Sequence, residues 1–243
     1  MKLLKKVIFG LILTILIIIL LAAIIFGVPG YTMYKDAIES TPISEKIEEI
    51  KKEKKNYTEF DDIPKTYVNA VIAAEDHRFY DHNGIDIIGI ARAIFTDIRK
   101  QSLVEGGSTI TQQLAKNIYF SQERTSRRKI AEIFMAAEIE KECEKNDILE
   151  LYANTSYFGD GYYTIKDACK GYFKKDLSKL SDYECAMLAG LPNAPSVYAP
   201  TKNPELAKKR TEHVIKRMVE YEYITQKEAD KILKEEGKKW RKL

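Results

Sequence analysis

An apolar run near the N-terminus constrains this chain more than any other feature. Residues 7–28 are almost all hydrophobic, and only Gly10, Thr14 and Gly27 interrupt them. Because an α-helix rises 1.5 Å per residue, about 20 such residues cross a hydrocarbon core of about 30 Å. The run is longer than the about 7–15 residues of a signal-peptide core, and its end does not resemble a cleavage site. The sequence therefore predicts an uncleaved transmembrane anchor rather than a cleaved signal or a buried core helix.

Three lysines indicate the orientation of this anchor. Lys2, Lys5 and Lys6 directly precede the run, and the cytoplasmic flanks of membrane helices are enriched in basic residues. We therefore expect a single-pass protein of the cell membrane with its N-terminus in the cytoplasm. Residues 1–29 would form the cytoplasmic tip and the anchor, and the domain beyond them would be extracytoplasmic.

The rest of the chain divides into a polar segment and a domain. Residues 30–60 are rich in Lys and Glu and contain Pro42, which predicts a stalk with one short helix. From residue 61 to residue 243, apolar residues recur at helical spacing and strand patterns are scarce. The fold class is therefore predicted to be mainly α. One predicted helix begins after Pro64, and two others begin at the caps Ser126 and Ser181. Further helices are predicted over residues 85–98, 109–119, 146–152, 204–223 and 225–238.

Composition excludes several classes of function. The formal net charge is +3 over 243 residues, which is too small to indicate a nucleic-acid partner. The three cysteines, Cys143, Cys169 and Cys185, are too widely spaced for a CxxC metal or redox motif. Each lies beside apolar residues, so we expect buried thiols and assign no metal ligands.

The first chemically unusual segment covers residues 75–86 and reads EDHRFYDHNGID. It places acidic and imidazole groups at the C-terminal end of an apolar helix, before a glycine turn. A helix C-terminus carries partial negative charge, which favours the protonated form of a nearby acid. Such an acid is suited to take a proton from a sugar hydroxyl. The alternative is a polar helix end whose acids cap the helix and pair with Arg78 and the histidines.

The second segment covers residues 106–117 and reads GGSTITQQLAKN. Two glycines and two hydroxyls are expected to open a helix, whose exposed amides can bind anions or hydroxyl groups. Gln113, Lys116 and Asn117 follow on one face of that helix. An ordinary capped helix would explain the glycines and hydroxyls, but not the density of polar side chains after them.

The third segment covers residues 124–132 and reads RTSRRKIAE. Glu132 follows Arg128 by four residues, so both side chains occupy one face of a helix. An ordinary surface ion pair at this spacing would stabilise the helix by only about 0.3–0.5 kcal/mol. The alternative is a cationic patch for phosphate with a carboxylate beside it, and the spacing leaves both interpretations open.

Taken in order, these segments resemble the signature blocks of the family 51 glycosyltransferases, the peptidoglycan polymerases. Residues 148–159, ILELYANTSYFG, and residues 188–200, LAGLPNAPSVYAP, resemble two further blocks. Five blocks in order between residues 60 and 220 make the resemblance specific. Thr164 and Lys174 stand where the family usually has glycine, which affects the expected loop shape more than the catalytic blocks. The resemblance implies a lysozyme-like helical glycosyltransferase domain.

The resemblance also implies a reaction. The substrate would be lipid II, a disaccharide-pentapeptide on a polyprenyl pyrophosphate, and the lipid-linked growing glycan would be the donor. Glu75 matches the general base that takes the proton from the acceptor 4-hydroxyl. Glu132 matches a second glutamate that helps the donor pyrophosphate to leave. Departure from the opposite face would give a β-1,4 bond with inversion.

The remaining expected site residues bind substrate or shape the site. Cations matter most, because pyrophosphate leaves readily once its charge is neutralised. The residues are Asp76, Phe79 and His82 on the acceptor side, Ser108, Thr109, Gln112, Gln113 and Asn117 around sugar or phosphate oxygens, and the cations Lys116, Arg124, Arg128 and Lys129. No tightly bound cofactor is expected. Dependence on Mg²⁺ or Mn²⁺ occurs in the family, although the sequence offers no dedicated metal cage.

Only about twenty residues follow the matching region, so the chain resembles the monofunctional members rather than the bifunctional penicillin-binding proteins. The expected partners are lipid II, the lipid-linked glycan and the membrane, with other cell-wall synthesis proteins as further candidates. Apolar residues around 85–105, such as Phe95 and Leu103, are expected to dip into the lipid.

Two rival functions remain open. A lytic transglycosylase or lysozyme-like hydrolase would act on the same polymer, but it would not need the pyrophosphate patch of Lys116 and Arg128. A catalytically dead scaffold would recruit other wall-building proteins, and the presence of both Glu75 and Glu132 argues against it.

Overall fold

The computed structural model describes residues 2–100, 107–120 and 125–236. Within these ranges the chain forms helices joined by short turns and contains no β-strand. This confirms the mainly helical fold predicted from the sequence. The α-helices are α1 (Lys2–Ala22), α2 (Val28–Ser40), α3 (Ile43–Glu53), α4 (Lys65–Glu75), α5 (Ile87–Lys100), α6 (Ile110–Tyr119), α7 (Ser126–Glu142), α8 (Lys145–Thr155), α9 (Ile165–Ala168), α10 (Asp182–Gly190), α11 (Pro195–Tyr198), α12 (Pro204–Glu220) and α13 (Gln226–Glu236).

The apolar run continues without a break into the segment that follows it. α1 leads through a π-helical turn, Ala23–Gly27, directly into α2. Lys5–Ser40 therefore form one helix that is long and apolar enough to cross a membrane. Pro29 lies inside this helix and cannot donate a backbone hydrogen bond, and the wider π turn before it accommodates that interruption.

Residues 30–60, which we expected to be a stalk, pack against the domain over much of their length. Tyr34, Ile43 and Ile50 are buried in the same hydrophobic core as the helices that follow. The polar composition of the segment conceals this packing, because α3 carries its isoleucines on one face and its lysines and glutamates on the others. The boundaries proposed for the three segments stay predictions.

Two polar side chains of α8 bind the chain between α3 and α4. Glu150 accepts hydrogen bonds from the Tyr57 hydroxyl at 2.6 Å and from the Phe60 amide at 2.7 Å. The Asn154 side chain pairs with both the amide and the carbonyl of Thr58. Both α8 side chains are buried. They therefore fix residues 57–60, which lead into the domain, against α8.

Helix caps agree with the sequence at one of the two predicted positions. Ser181 caps α10 and forms a capping box with Glu184, as predicted. The cap of α7 is Thr125 rather than Ser126, because the Thr125 hydroxyl accepts a hydrogen bond from the Arg128 amide at 3.2 Å. The long helix therefore begins with its capping side chain one residue earlier than the pattern indicated.

All three cysteines are buried and unpaired, as expected. Burial raises the pKa of Cys143 and of Cys169 to about 11, and that of Cys185 to about 12. These thiols serve as small apolar side chains, since a protonated buried thiol is a weak nucleophile.

Candidate active site

A groove of about 920 Å³ crosses the domain between the end of α4, the starts of α5 and α6, and α12. Among the residues that the structure describes, four acidic side chains line it, but basic groups outnumber them. The basic lining residues are His77, Arg92, Lys116, Lys209, Arg210, His213, Lys216 and Arg217. A concave surface with this balance of charge attracts anionic ligands.

Glu75, the last residue of α4, lies in the wall of this groove. Its Oε1 lies 2.6 Å from Nη2 of Arg210, and its Oε2 accepts a hydrogen bond from the Gln113 side-chain amide at 2.9 Å. The Tyr152 hydroxyl donates in turn to the Gln113 side-chain oxygen at 3.3 Å. Only 6% of the Glu75 side chain is exposed. The two donors fix the carboxylate at the groove surface, where it can accept a proton from a bound hydroxyl.

Arg210 is a site residue that the sequence reasoning did not assign. It lies 135 positions from Glu75 along the chain, and its Nε donates to the Gly190 carbonyl at 3.2 Å. A Cβ at Gly190 would lie 2.9 Å from Cγ of Arg210, so glycine permits the close approach. The family resemblance extends toward Arg210 at its C-terminal end, which is the signal that could have identified it.

Asp76, Phe79 and His82 lie at or beneath the groove wall. The Asp76 carboxylate accepts a hydrogen bond from the Ile110 amide at 3.0 Å and lies 2.9 Å from Nε2 of His82. Phe79 is fully buried and packs edge-on against His82. Of the three, only Asp76 lines the groove. The Asp76–His82 contact fits the pairing alternative, and the acceptor-side roles given to the three residues stay predictions.

The segment that opens α6 divides between the groove and the core. Among the described residues of this segment, four predicted binding residues line the groove: Ser108, Thr109, Gln113 and Lys116. Thr109 is buried and caps the helix, and its hydroxyl donates to the Gly84 carbonyl at 2.7 Å. Gln112 is buried, and Asn117 is half-buried outside the groove lining. The predicted polar face of α6 is therefore only partly available to a ligand.

Glu132 is buried on α7, and both of its oxygens face cations. Nε of Arg128 lies 2.7 Å from Oε1, and Nζ of Lys129 lies 3.1 Å from Oε2. The Lys129 ammonium also donates to the Ser108 hydroxyl at 2.7 Å and to the Gln112 side-chain oxygen at 3.1 Å. Because Ser108 lines the groove, this cluster reaches the groove edge.

Lys116 links the two glutamates electrostatically. Burial lowers the pKa of Lys116, and the charges of Arg128 and Lys129 add to that shift. The negative charges of Glu132 and Glu75 oppose it. Both carboxylates therefore act on one ammonium in the groove wall, and the predicted base and the predicted donor-side glutamate belong to one region of the molecule.

Two groove histidines are held in the neutral form. The His77 ring stacks on Tyr221 with centroids 4.0 Å apart, and its Nε2 lies 2.7 Å from Nη1 of Arg92. Burial lowers the pKa of His77, and the charges of Arg92 and Arg217 lower it further. Burial and neighbouring basic residues also lower the pKa of His213. The positive charge of the groove at neutral pH therefore comes from its Arg and Lys side chains.

The surroundings of Glu132 do not fit a divalent cation. Mg²⁺ and Mn²⁺ require several oxygen ligands, whereas both Glu132 oxygens are already paired with basic side chains. Within the part of the chain that the structure describes, no group of three or more His, Cys, Asp and Glu side chains could hold a metal ion. The metal dependence implied by the resemblance stays a prediction.

The surface expected to meet the lipid is described only in part. Arg124 and Leu103 lie outside the described residues, as does the side chain of Phe95. At the start of α5, Ile87 and Ile88 are 76% and 59% exposed. These two side chains give the region an apolar surface beside the groove.

Comparisons with known proteins agree with the fold and the motifs. The profile of the Transglycosylase family matches residues 43–219. Penicillin-binding protein 1A of Neisseria flavescens is 47% identical over 184 residues, which cover 76% of this chain and 23% of that protein. Penicillin-binding protein 1A of Aquifex aeolicus is 41% identical over 233 residues, which cover 91% of this chain and 32% of that protein.

The chain thus spans about a quarter to a third of the length of these relatives. The family match covers most of the helical domain, including α4, α6, α7 and α12, which carry the groove and the two glutamates. The chain belongs to the peptidoglycan transglycosylases, the family 51 glycosyltransferases.

Proposed function

We propose that this chain polymerises the glycan strands of peptidoglycan at the outer face of the cell membrane. It transfers the lipid-linked growing glycan onto lipid II, forms a β-1,4 bond with inversion and releases polyprenyl pyrophosphate. One observation carries the proposal: the Glu75 carboxylate is held by Gln113 and Arg210 in the wall of a groove lined mainly by basic side chains.

Glu75 acts as the general base on the acceptor. It takes the proton of the acceptor 4-hydroxyl while that oxygen attacks the anomeric carbon of the donor. The α-linked pyrophosphate leaves from the opposite face of the sugar, so the new bond is β. The displacement is direct and needs no covalent glycosyl-enzyme intermediate.

The leaving pyrophosphate requires positive charge more than it requires a strong acid. Lys116 supplies that charge from the groove wall, and Arg128 and Lys129 supply it from the groove edge. Glu132 holds the last two in place through its paired oxygens. This basic lining supports a polymerase over a lytic enzyme, which handles no pyrophosphate.

The test is polymerisation of lipid II by the purified full chain in vesicles, with lipid II as the sole substrate. The wild type should produce long glycan whose new bonds are β by NMR. Glu75→Gln should lower kcat by about 10²–10⁴-fold, because the amide cannot accept the proton. Glu212→Gln, an exposed change on α12 outside the groove lining, should leave kcat unchanged.

Other outcomes would point to the rival functions. A wild-type protein that makes no glycan from lipid II but cuts purified strands would be a lytic enzyme. Equal polymerisation by the wild type and Glu75→Gln would remove Glu75 from the reaction. A wild-type protein that neither polymerises lipid II nor cleaves purified strands would favour the scaffold function.

A further inference from the structure

α7 carries the membrane anchor on one face and the donor-side charges on the other. The side chains or backbone groups that meet α2 recur every three or four residues: Arg127, Ile130, Phe134 and Glu138. At 100° per residue, Glu132 lies about 160° around the helix from Phe134. Arg128 and Lys129 extend with Glu132 toward the α6 side. One helix therefore joins the anchor to the cluster proposed to bind pyrophosphate.

The contact begins where the apolar run ends. Nε of Arg127 donates to the Pro29 carbonyl at 3.1 Å. A Cβ on Gly30 would lie 2.5 Å from Cγ2 of Ile130, 2.6 Å from its Cβ and 3.0 Å from the Arg127 carbonyl oxygen. No side chain fits at position 30 without moving one helix, so α2 and α7 meet there in close backbone packing.

Aromatic contacts continue the interface along both helices. The Phe134 ring meets Tyr31 edge-on at 5.2 Å and stacks on Tyr34 at 5.8 Å, as measured between ring centroids. The Tyr34 hydroxyl donates to Glu138 at 3.4 Å. Aromatic pairs of this kind stabilise an interface beyond the contribution of the area they bury.

We infer that the docking of α2 on α7, centred on Gly30, sets the height of the Glu132 cluster above the membrane. The helix of residues 5–40 is continuous through the contact. Glu132 lies two residues beyond Ile130, about 3 Å along the helix axis. This inference rests on the proposed function, since a lipid-linked pyrophosphate stays at the bilayer surface. Gly30 and Phe134 are then positioning residues, through which the anchor determines where the Glu132 cluster lies.

The sharpest test compares Gly30→Ala with Gly27→Ala in the full chain. A Cβ at Gly27 meets nothing within 4 Å, so the two variants make the same change to the same helix with and without the clash. In vesicles with long-chain lipid II, Gly30→Ala should lower kcat/KM by about tenfold or more, while Gly27→Ala should match the wild type. With a short-chain lipid II analogue in detergent, both variants should match the wild type, because no bilayer fixes the height of the substrate.

Phe134→Leu provides a second variant if Gly30→Ala unfolds. It keeps an apolar side chain but removes the ring contacts with Tyr31 and Tyr34. Its kcat/KM should likewise fall with long-chain lipid II in vesicles and stay at the wild-type value with the short-chain analogue in detergent. An equal loss of kcat/KM with both substrates would show that the interface serves only to stabilise the fold, which would overturn the inference. A kcat/KM equal to that of Gly27→Ala with long-chain lipid II would also overturn it. A wild type that fails to polymerise either substrate would instead contradict the proposed function.

Discussion

At the scale of single residues, the Arg210 guanidinium joins parts of the site that are far apart in sequence. It contacts the Glu75 carboxylate at 2.6 Å and the Gly190 carbonyl at 3.2 Å, and it lies 5.9 Å from the centroid of the Tyr198 ring. A guanidinium can make these contacts together because its donors diverge in one plane. An ammonium is a compact point charge and cannot reach all three.

We therefore expect Arg210→Lys to impair catalysis while the fold is kept. The kcat for lipid II polymerisation should fall by about 10–100-fold, because Glu75 loses a fixed orientation. The control is Lys208→Gln, an exposed change on the same helix. A normal kcat in Arg210→Lys would show that Gln113 alone orients the carboxylate.

The family resemblance, rather than local spacing, assigned roles to Glu75 and Glu132, and no role was assigned to Arg210. The contact between Glu75 and Arg210 depends on the packing of α4 against α12, which no short motif encodes. Gln112 and Gln113 show what a linear motif does not resolve. They are adjacent and were given the same role, yet the helix turns by about 100° between them. The buried Gln112 consequently accepts a hydrogen bond from Lys129, whereas Gln113 donates one to Glu75 in the groove wall.

At the scale of helices, Glu150 on α8 connects the domain to the preceding segment through three polar contacts. It lies 2.9 Å from the Lys51 ammonium and accepts hydrogen bonds from the Tyr57 hydroxyl and the Phe60 amide. Burial by itself would raise the pKa of Glu150, but these three partners outweigh burial and hold that pKa below its usual value. The carboxylate therefore stabilises the docking of residues 51–60 on α8.

We expect Glu150→Gln to destabilise the protein by about 1–3 kcal/mol at pH 7. Because the pKa of Glu150 is lower in the folded chain than in the unfolded chain, its contribution is fully present above the unfolded pKa of about 4.3. That contribution is lost as the pH falls toward the folded pKa. Thermal unfolding in detergent checks this prediction. The unfolding temperature of the wild type should exceed that of Glu150→Gln at pH 7, and the difference should shrink as the pH is lowered to 3.

Glu142→Gln is the matched control, since Glu142 is exposed at the end of α7. It should change the unfolding temperature little at either pH. A difference between wild type and Glu150→Gln that stayed constant with pH would mean that the charge of Glu150 is not what stabilises the segment.

From α4 onward, the sequence patterns located the longer helices but not the four-residue helices α9 and α11. At α3 the helical spacing of apolar residues was given less weight than the polar composition. Ile43, Ile47 and Ile50 recur at intervals of three and four residues, which is the spacing of a buried helix face. The many lysines and glutamates around them instead indicated a stalk. Composition describes the average surface of a segment, whereas burial depends on one face, so the packing of α3 was missed.

At the scale of the whole molecule, the orientation across the membrane can be tested by cysteine labelling. Lys5→Cys should react with a membrane-impermeant maleimide only after cells are permeabilised, because the lysines before the anchor favour a cytoplasmic N-terminus. Lys179→Cys replaces a side chain that is 71% exposed on the domain, and it should react in intact cells.

The wild-type chain serves as the background for this experiment. Its three native thiols are buried, and burial raises their pKa values to about 11–12, so few are thiolates at neutral pH. Wild-type protein should therefore label weakly. Reaction of Lys5→Cys in intact cells, with Lys179→Cys protected, would reverse the orientation.

The unbroken helix of α1 and α2 also makes the thickness of the surrounding lipid relevant to the groove. Residues 7–28 measure about 33 Å at 1.5 Å per residue, close to a hydrocarbon core of about 30 Å. When an apolar stretch exceeds the local thickness, the helix tilts. Since α2 is packed on α7, a tilt of the anchor would rotate the whole domain with it. The acyl-chain length of the membrane would then govern the angle at which the groove opens toward the headgroups.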